Sequence, residues 1–275
     1  MNTPKQIMVL TALLLATVSQ GAEKTAVPAE PVQTGRPPLT VRPVGDKAII
    51  HTVADALGFV RWVPPRETTD TLNRLQWLGT GTQFEGGKTY KVAHYSYALT
   101  LSLTGAREDI QRVAPNGTQE RIVRAFLGDT AWDESAPGVN AKSVDAGQAR
   151  ERRFQFLRTP FGFTRALLKA DAAAIKITDP GAGGAVRIEL TVDGVPVTAT
   201  LDPYYRPASI STQINGKRIQ VAYGRYRSIN EYGVMFPTRI AETVAGQPRL
   251  TLSIDDARIA SYLILQPPPT AAGSH

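Results

Sequence analysis

The sequence predicts an α+β fold, mainly β: a curved antiparallel sheet with a few helices covering its concave face. Two observations predict it. From Val186 onward, short apolar segments alternate with tight polar turns, Asp193-Gly194 and Asn215-Gly216 among them, which is hairpin chemistry. The helical patterns, by contrast, are few and grouped in sequence. They cannot cover both faces of a parallel sheet, but they can cover one face of a sheet that curls around them.

The chain opens on a three-part export pattern. Lys5 supplies a positive charge, Ile7 to Val18 is apolar apart from Thr11 and Thr17, and Ser19-Gln20-Gly21-Ala22 offers small residues for cleavage. Residues 1–21 are therefore expected to be a signal peptide, with the mature protein exported to the periplasm. The apolar run is too short to span a bilayer comfortably, and no Cys follows it to carry a lipid anchor, so a soluble, non-membrane-spanning product is expected. Residues 22–45 are rich in Pro and poor in large apolar side chains, the composition of an extended linker. Residues 266–275, beginning Gln266-Pro267-Pro268-Pro269, read as a disordered tail. The folded domain is expected over 46–265.

Within it, Asp46 is a candidate N-cap for a helix over 47–57, with Ile49, Ile50, Val53, Ala54 and Leu57 at the 3.6-residue period and Gly58 as the stop. Residues 71–85 read as a bulged strand, because Gly79 and Gly81 argue against a helix. Residues 90–103 alternate most clearly, with Tyr95, Tyr97, Leu99, Leu101 and Leu103 on one face. A hairpin follows over 108–127, turning at Pro115-Asn116-Gly117. The period changes at Asp145, and helices are expected over 145–157 and, after Pro160, over 162–174. Six strands then follow between Val186 and Ile254.

Composition excludes much chemistry. With no Cys and only His51, His94 and His275, the chain lacks thiolate nucleophiles and the ligands of most zinc sites, so neither a metal nor a cofactor is expected. Asp133-Glu134 and Asp255-Asp256 are adjacent acids, which on a strand point to opposite faces and rarely share a site. His94 has only Ser96 as a nearby hydroxyl and no Gly-x-Ser-x-Gly elbow. The glycines at 181, 183 and 184 precede a strand rather than open a phosphate-binding helix. A catalytic site is therefore not expected. The net charge is +7, with the densest basic cluster at Arg150, Arg152, Arg153 and Arg158, read as a solvated surface or, second, a contact for an acidic surface. Nucleic acid is not an expected partner of an exported chain.

The meander carries a resemblance. Gly194-Val195-Pro196-Val197 through Asp202, then Arg206-Pro207-Ala208, Val221-Ala222-Tyr223-Gly224-Arg225-Tyr226 and Tyr232-Gly233-Val234-Met235-Phe236-Pro237 run in an order that resembles the outer-membrane lipoprotein-sorting (LolA-like) superfamily. The region around Gly128-Asp129-Thr130-Ala131-Trp132 and Thr159-Pro160-Phe161-Gly162-Phe163 is similar to a branch also found ahead of metallo-β-lactamase-fold hydrolase domains, whose zinc motif this chain lacks. The resemblance implies a half-barrel whose helices plug an apolar concavity, and a non-enzymatic protein that holds a lipid or other apolar ligand there. Tyr97, Leu99, Leu101, Trp132, Phe154, Phe156, Phe161, Phe163 and Leu201 are the expected lining. The alternative is an accessory domain that binds a protein partner such as an envelope complex or hydrolase. The size of the internal space separates the two, since a lipid needs several hundred Å³.

Overall fold

The structure, a computed structural model, describes residues 41–63, 66–68, 72–181, 184–228, 233–259 and 262–268. The expected signal peptide and residues 22–40 of the expected linker lie outside the described residues. No helix among the described residues is long and apolar enough to cross a membrane.

Helix α1 spans Asp46–Leu57 and buries Ile49, Val53, Ala54 and Leu57. Asp46 is its first residue rather than its cap, which is Gly45. It ends at Gly58 in the left-handed conformation, where a side chain would also strike the Cα of Val234 at 2.9 Å. Strands β1 (Arg61–Val63) and β2 (Arg66–Thr68) pair with each other in a separate two-stranded sheet.

The remaining strands form one antiparallel sheet built from two meanders. The first runs through β3 (Arg74–Glu85), β4 (Lys88–Thr100), β5 (Gly105–Val113), β6 (Gln119–Leu127), β7 (Thr130–Glu134) and β8 (Lys142–Ser143). The chain then forms α2 (Ala146–Leu157) and α3 (Pro160–Lys169). The second meander runs through β9 (Ile175–Thr178), β10 (Arg187–Val192), β11 (Val195–Leu201), β12 (Pro207–Ile214), β13 (Lys217–Ser228), β14 (Met235–Val244) and β15 (Gln247–Ile259). Strand β15 returns to pair with β3, which leaves β8 and β9 as the two free edges of a 13-stranded sheet.

The sheet curls around the helices that carry the chain from one edge to the other, and the core lies on its concave side, where strand and helix residues form one cluster. Alternate residues of the central strands, such as Tyr95, Tyr97 and Leu99 of β4 and Ala106 and Ile110 of β5, join α2 and α3 in one apolar cluster.

Where the two meanders meet, β3 carries Gly79 and Gly81. A Cβ at those positions would lie 2.2 Å from the carbonyl oxygen of Ser253 and 1.9 Å from that of Thr251, so the close approach of β15 requires glycine. The expected strand over 90–103 ends at Thr100 instead. Leu103 falls in the following turn and is 64% exposed, not on the inner face.

The second helix begins at Pro160, two residues before its expected start. Thr159 is its N-cap and accepts from Gly162 N–H at 2.9 Å, and Pro160 takes the first-turn position that needs no amide donor. It ends at Lys169. The Ala-rich stretch beyond it forms only a short 3-10 turn, and Ile175–Thr178 is the edge strand β9.

The residues of the resemblance are structural. Asp202 accepts from the backbone of Tyr204 and Arg206 and from the Arg206 side chain, Tyr205 takes a positive φ, and Tyr226 donates to the carbonyl of Pro207 at 2.7 Å.

Candidate functional site

The α2–α3 corner is tight. Thr159 donates its hydroxyl to the carbonyl of Phe156 at 2.7 Å, and Gly162 allows that carbonyl to pass where a Cβ would sit 2.1 Å away. Folding in so few residues turns Arg158, the C-cap of α2, and Phe161 of α3 toward the sheet. The hydroxyl of Tyr223 on β13 donates to the carbonyl of Arg158 and joins the corner to the sheet.

Between corner and sheet lies a chamber of about 40 Å³, room for a few water-sized groups. One wall is aromatic. Trp77 stacks on Tyr97 at 4.8 Å between ring centroids, Phe161 stacks on Phe236 at 5.4 Å, and Trp77 meets Phe236 at 5.1 Å. Such pairs add modestly to their area burial and fix the shape of the wall.

The other wall is polar. The Arg158 side chain is 1% exposed, and none of its three nitrogens has a hydrogen-bond partner among the described residues. Its nearest carboxylate is Glu242, with Nη2 3.8 Å from Oε1. Arg249 approaches the same oxygen at 3.3 Å. A bulge opposite Glu242 in the β14–β15 pairing re-aims Arg249 toward it. Glu108 is also buried. Its Oε1 accepts from Tyr95 at 3.1 Å and from Gln155 of α2 at 2.9 Å, and Arg124 lies 3.8 Å from its Oε2. Burial, joined by the negative charges of Glu108 and Glu242, pushes the Tyr97 hydroxyl well above the usual phenol range, so Tyr97 stays protonated. Tyr95 and Tyr223 shift the same way, burial again being the main cause. Burial pushes Arg158 down, whereas Glu242 holds Arg249 up.

Sequence reasoning did not find this polar group. Arg152 and Arg158 were expected on a solvated surface, and both are buried. Arg152 donates to the carbonyls of Ala125 and Trp132 and pairs with Asp133, so it ties α2 to β6 and β7. Arg150 and Arg153 keep the expected exposure to a greater degree; Arg153 pairs with Asp129 and Asp193. The only signal for the buried pair was the interleaving with Phe154 and Phe156.

Of the expected lining residues, Tyr97 and Phe161 border the chamber. Leu99, Leu101, Phe154, Phe156, Phe163 and Leu201 are buried in the surrounding cluster, with Phe156 edge-on to Phe126 at 5.9 Å. Trp132 is on the opposite face. Its neighbour Ala131 belongs to the concave cluster, whereas the Trp132 indole donates to Glu134, which pairs with Arg107. Glu108, next to Arg107, faces α2, so Arg107 and Trp132 face away from it. The adjacent acids divide as strand geometry requires: Asp133 meets Arg152 and Glu134 meets Arg107. Ser96 accepts from Gln76 at 3.0 Å.

No protein-family model matches the sequence, and no curated protein matches it. Among solved structures, the chain is similar to the crystal structure of a LolA superfamily protein from Nitrosomonas europaea. The identity is 12%, the TM-score 0.39, and the match covers 78% of this chain and 94% of that chain.

Proposed function

We propose that the protein is an exported, non-enzymatic binding protein that takes a lipid or other apolar ligand between the concave sheet face and the α2–α3 pair. The observation that carries this reading is the aromatic-walled chamber at Trp77, Tyr97, Phe161 and Phe236, roofed by one helix corner. At about 40 Å³ it is far below the several hundred Å³ that a lipid fills. Binding therefore requires α2 and α3 to move outward and yield the volume now held by Phe156, Phe161 and Phe163.

The test uses protein recovered from the exported fraction, whose intact mass should begin near Ala22 or Glu23. Wild-type protein should take up a fluorescent fatty-acid probe. Ala166, half-buried on α3 and packed against the core, is the position for Ala166→Trp. In a space that a ligand enters, the added ring blocks uptake with little change in melting temperature. In a finished core it overpacks, at about 1–3 kcal/mol. No uptake by wild type together with an unfolded variant would sink the proposal.

The partner-binding reading is favoured by a different observation. Leu103, Leu127, Ile264 and Leu265 line a surface groove of about 420 Å³. If the probe test fails, that groove is the next surface to examine.

A further inference from the structure

We infer that the chamber is built to receive a carboxylate, held by Arg158, and that the apolar ligand is accordingly an acyl chain ending in an acid. This rests on the proposed access between sheet and helices, and the experiment below separates the two.

The inference starts from the burial of Arg158. An arginine at a helix corner ordinarily extends its head to water along its aliphatic stem. Here the backbone of Arg158 is fixed by its capping N–H bond to Phe154 and by the bond from Tyr223, and its side chain is sealed inside. Around it, Glu108 is engaged by Tyr95, Gln155 and Arg124, and Glu151 and Glu85 add negative charge from further off. Glu242 is shared by Arg249 at 3.3 Å and Arg158 at 3.8 Å, and of the two it is Arg158 that lacks a hydrogen bond.

Hydrogen-bonding capacity points the same way. Trp77 Nε1 and the three nitrogens of Arg158 have no partner among the described residues, and both residues line the chamber. Glu108 Oε2, 3.8 Å from Arg124, is a carboxylate oxygen without a hydrogen bond, and it lies against Arg124 rather than Arg158. A wall whose buried donors, an arginine's among them, have no hydrogen-bond partner selects an acceptor-only anion. The planar fork of arginine matches a carboxylate with two parallel bonds. A chamber of about 40 Å³ admits that head group but not a chain, and the chain would follow the wall from Trp77 and Tyr97 to Phe161 and Phe236.

The test is calorimetric titration of the full chain at neutral pH with decanoate, decanol and acetate. Wild type should bind decanoate at least tenfold more tightly than decanol. Arg158→Gln should erase that preference and leave decanol binding in place. Glu242→Gln should tighten decanoate binding severalfold, because it releases Arg158 from its competitor; a purely structural role for Glu242 would give no tightening. Equal binding of decanoate and decanol, or a preference that survives Arg158→Gln, overturns the inference and leaves the apolar reading intact. If neither amphiphile binds, the apolar reading falls. Acetate then decides: a rise in wild-type melting temperature that Arg158→Gln abolishes keeps a small-carboxylate site, and no rise overturns it. Should Arg158→Gln fail to fold, weakening of decanoate by Glu242→Gln overturns the inference alone.

Discussion

Trp132 illustrates what one residue's sequence context can and cannot convey. Ala131 and Trp132 are adjacent on a strand of five residues, too short for alternation to declare which faces the helices. Size suggests that the tryptophan faces inward. Instead Trp132 is buried on the far side, where Glu134 binds it, Arg107 and the amide of Gly138 at once. Burial alone would raise the Glu134 carboxyl, but the bonds from Arg107, Gly138 and Trp132 outweigh it and hold the group below the usual range. A depressed folded-state pKa stabilises the protein above the unfolded carboxylate value of about 4.3, and that contribution is lost as pH falls through the folded value. Glu134→Gln should therefore cost about 3 kcal/mol at pH 7, since Arg107 loses its counter-charge in a nearly buried place. Urea unfolding of wild type and variant should converge as the pH is lowered below 4. A gap that stays constant with pH would mean that the carboxylate charge contributes nothing.

At the scale of elements, glycine spacing carries information that the sequence yields only in part. Gly79 and Gly81 exclude a helix and suggest a bulge, and a register shift does lie between them. What they cannot announce is which strand presses on them, since β15 lies more than 150 residues away in sequence. The prediction is a contrast. Gly81→Ala should cost about 3 kcal/mol, at the upper end for overpacking, because its Cβ meets a backbone oxygen that cannot step aside. Gly224→Ala, with nothing within 4 Å of the added carbon, should be neutral or stabilise by up to about 1 kcal/mol. Urea midpoints measure both, and equal costs would contradict the close approach. The meander, the Pro115–Gly117 turn and the three helices were legible because caps, turns and periodicity are local. β8 and β9 were not, because edge strands of two and four residues carry no period. The buried Arg158 was hidden for a related reason. Its burial is decided by the corner at Thr159 and by strands from both meanders, none of which its neighbours in sequence reveal.

For the whole molecule, the topology ties the plug to its container. The chain leaves the sheet at one edge and re-enters at the other, so α2 and α3 are tethered to both edges of the trough they fill. The described hydrogen bonds from the sheet's inner face to the corner residues include that of Tyr223 to the carbonyl of Arg158, while Gln155 of α2 donates to Glu108 a turn earlier. If ligand binding requires outward movement of the corner, the Tyr223 bond is one that must break on the way. Tyr223→Phe removes it with almost no change in shape. The loss should lower stability by about 1 kcal/mol, the usual net value of such a bond. It should also raise the rate of fatty-acid probe uptake, because the closed state is penalised while the open state is not. Stopped-flow uptake set beside urea unfolding distinguishes this from general loosening. Glu134→Gln, destabilised on the opposite face of the sheet, should leave the uptake rate near that of wild type. If both variants speed uptake equally, the corner is not the gate, and ligand reaches the chamber through global opening of the sheet.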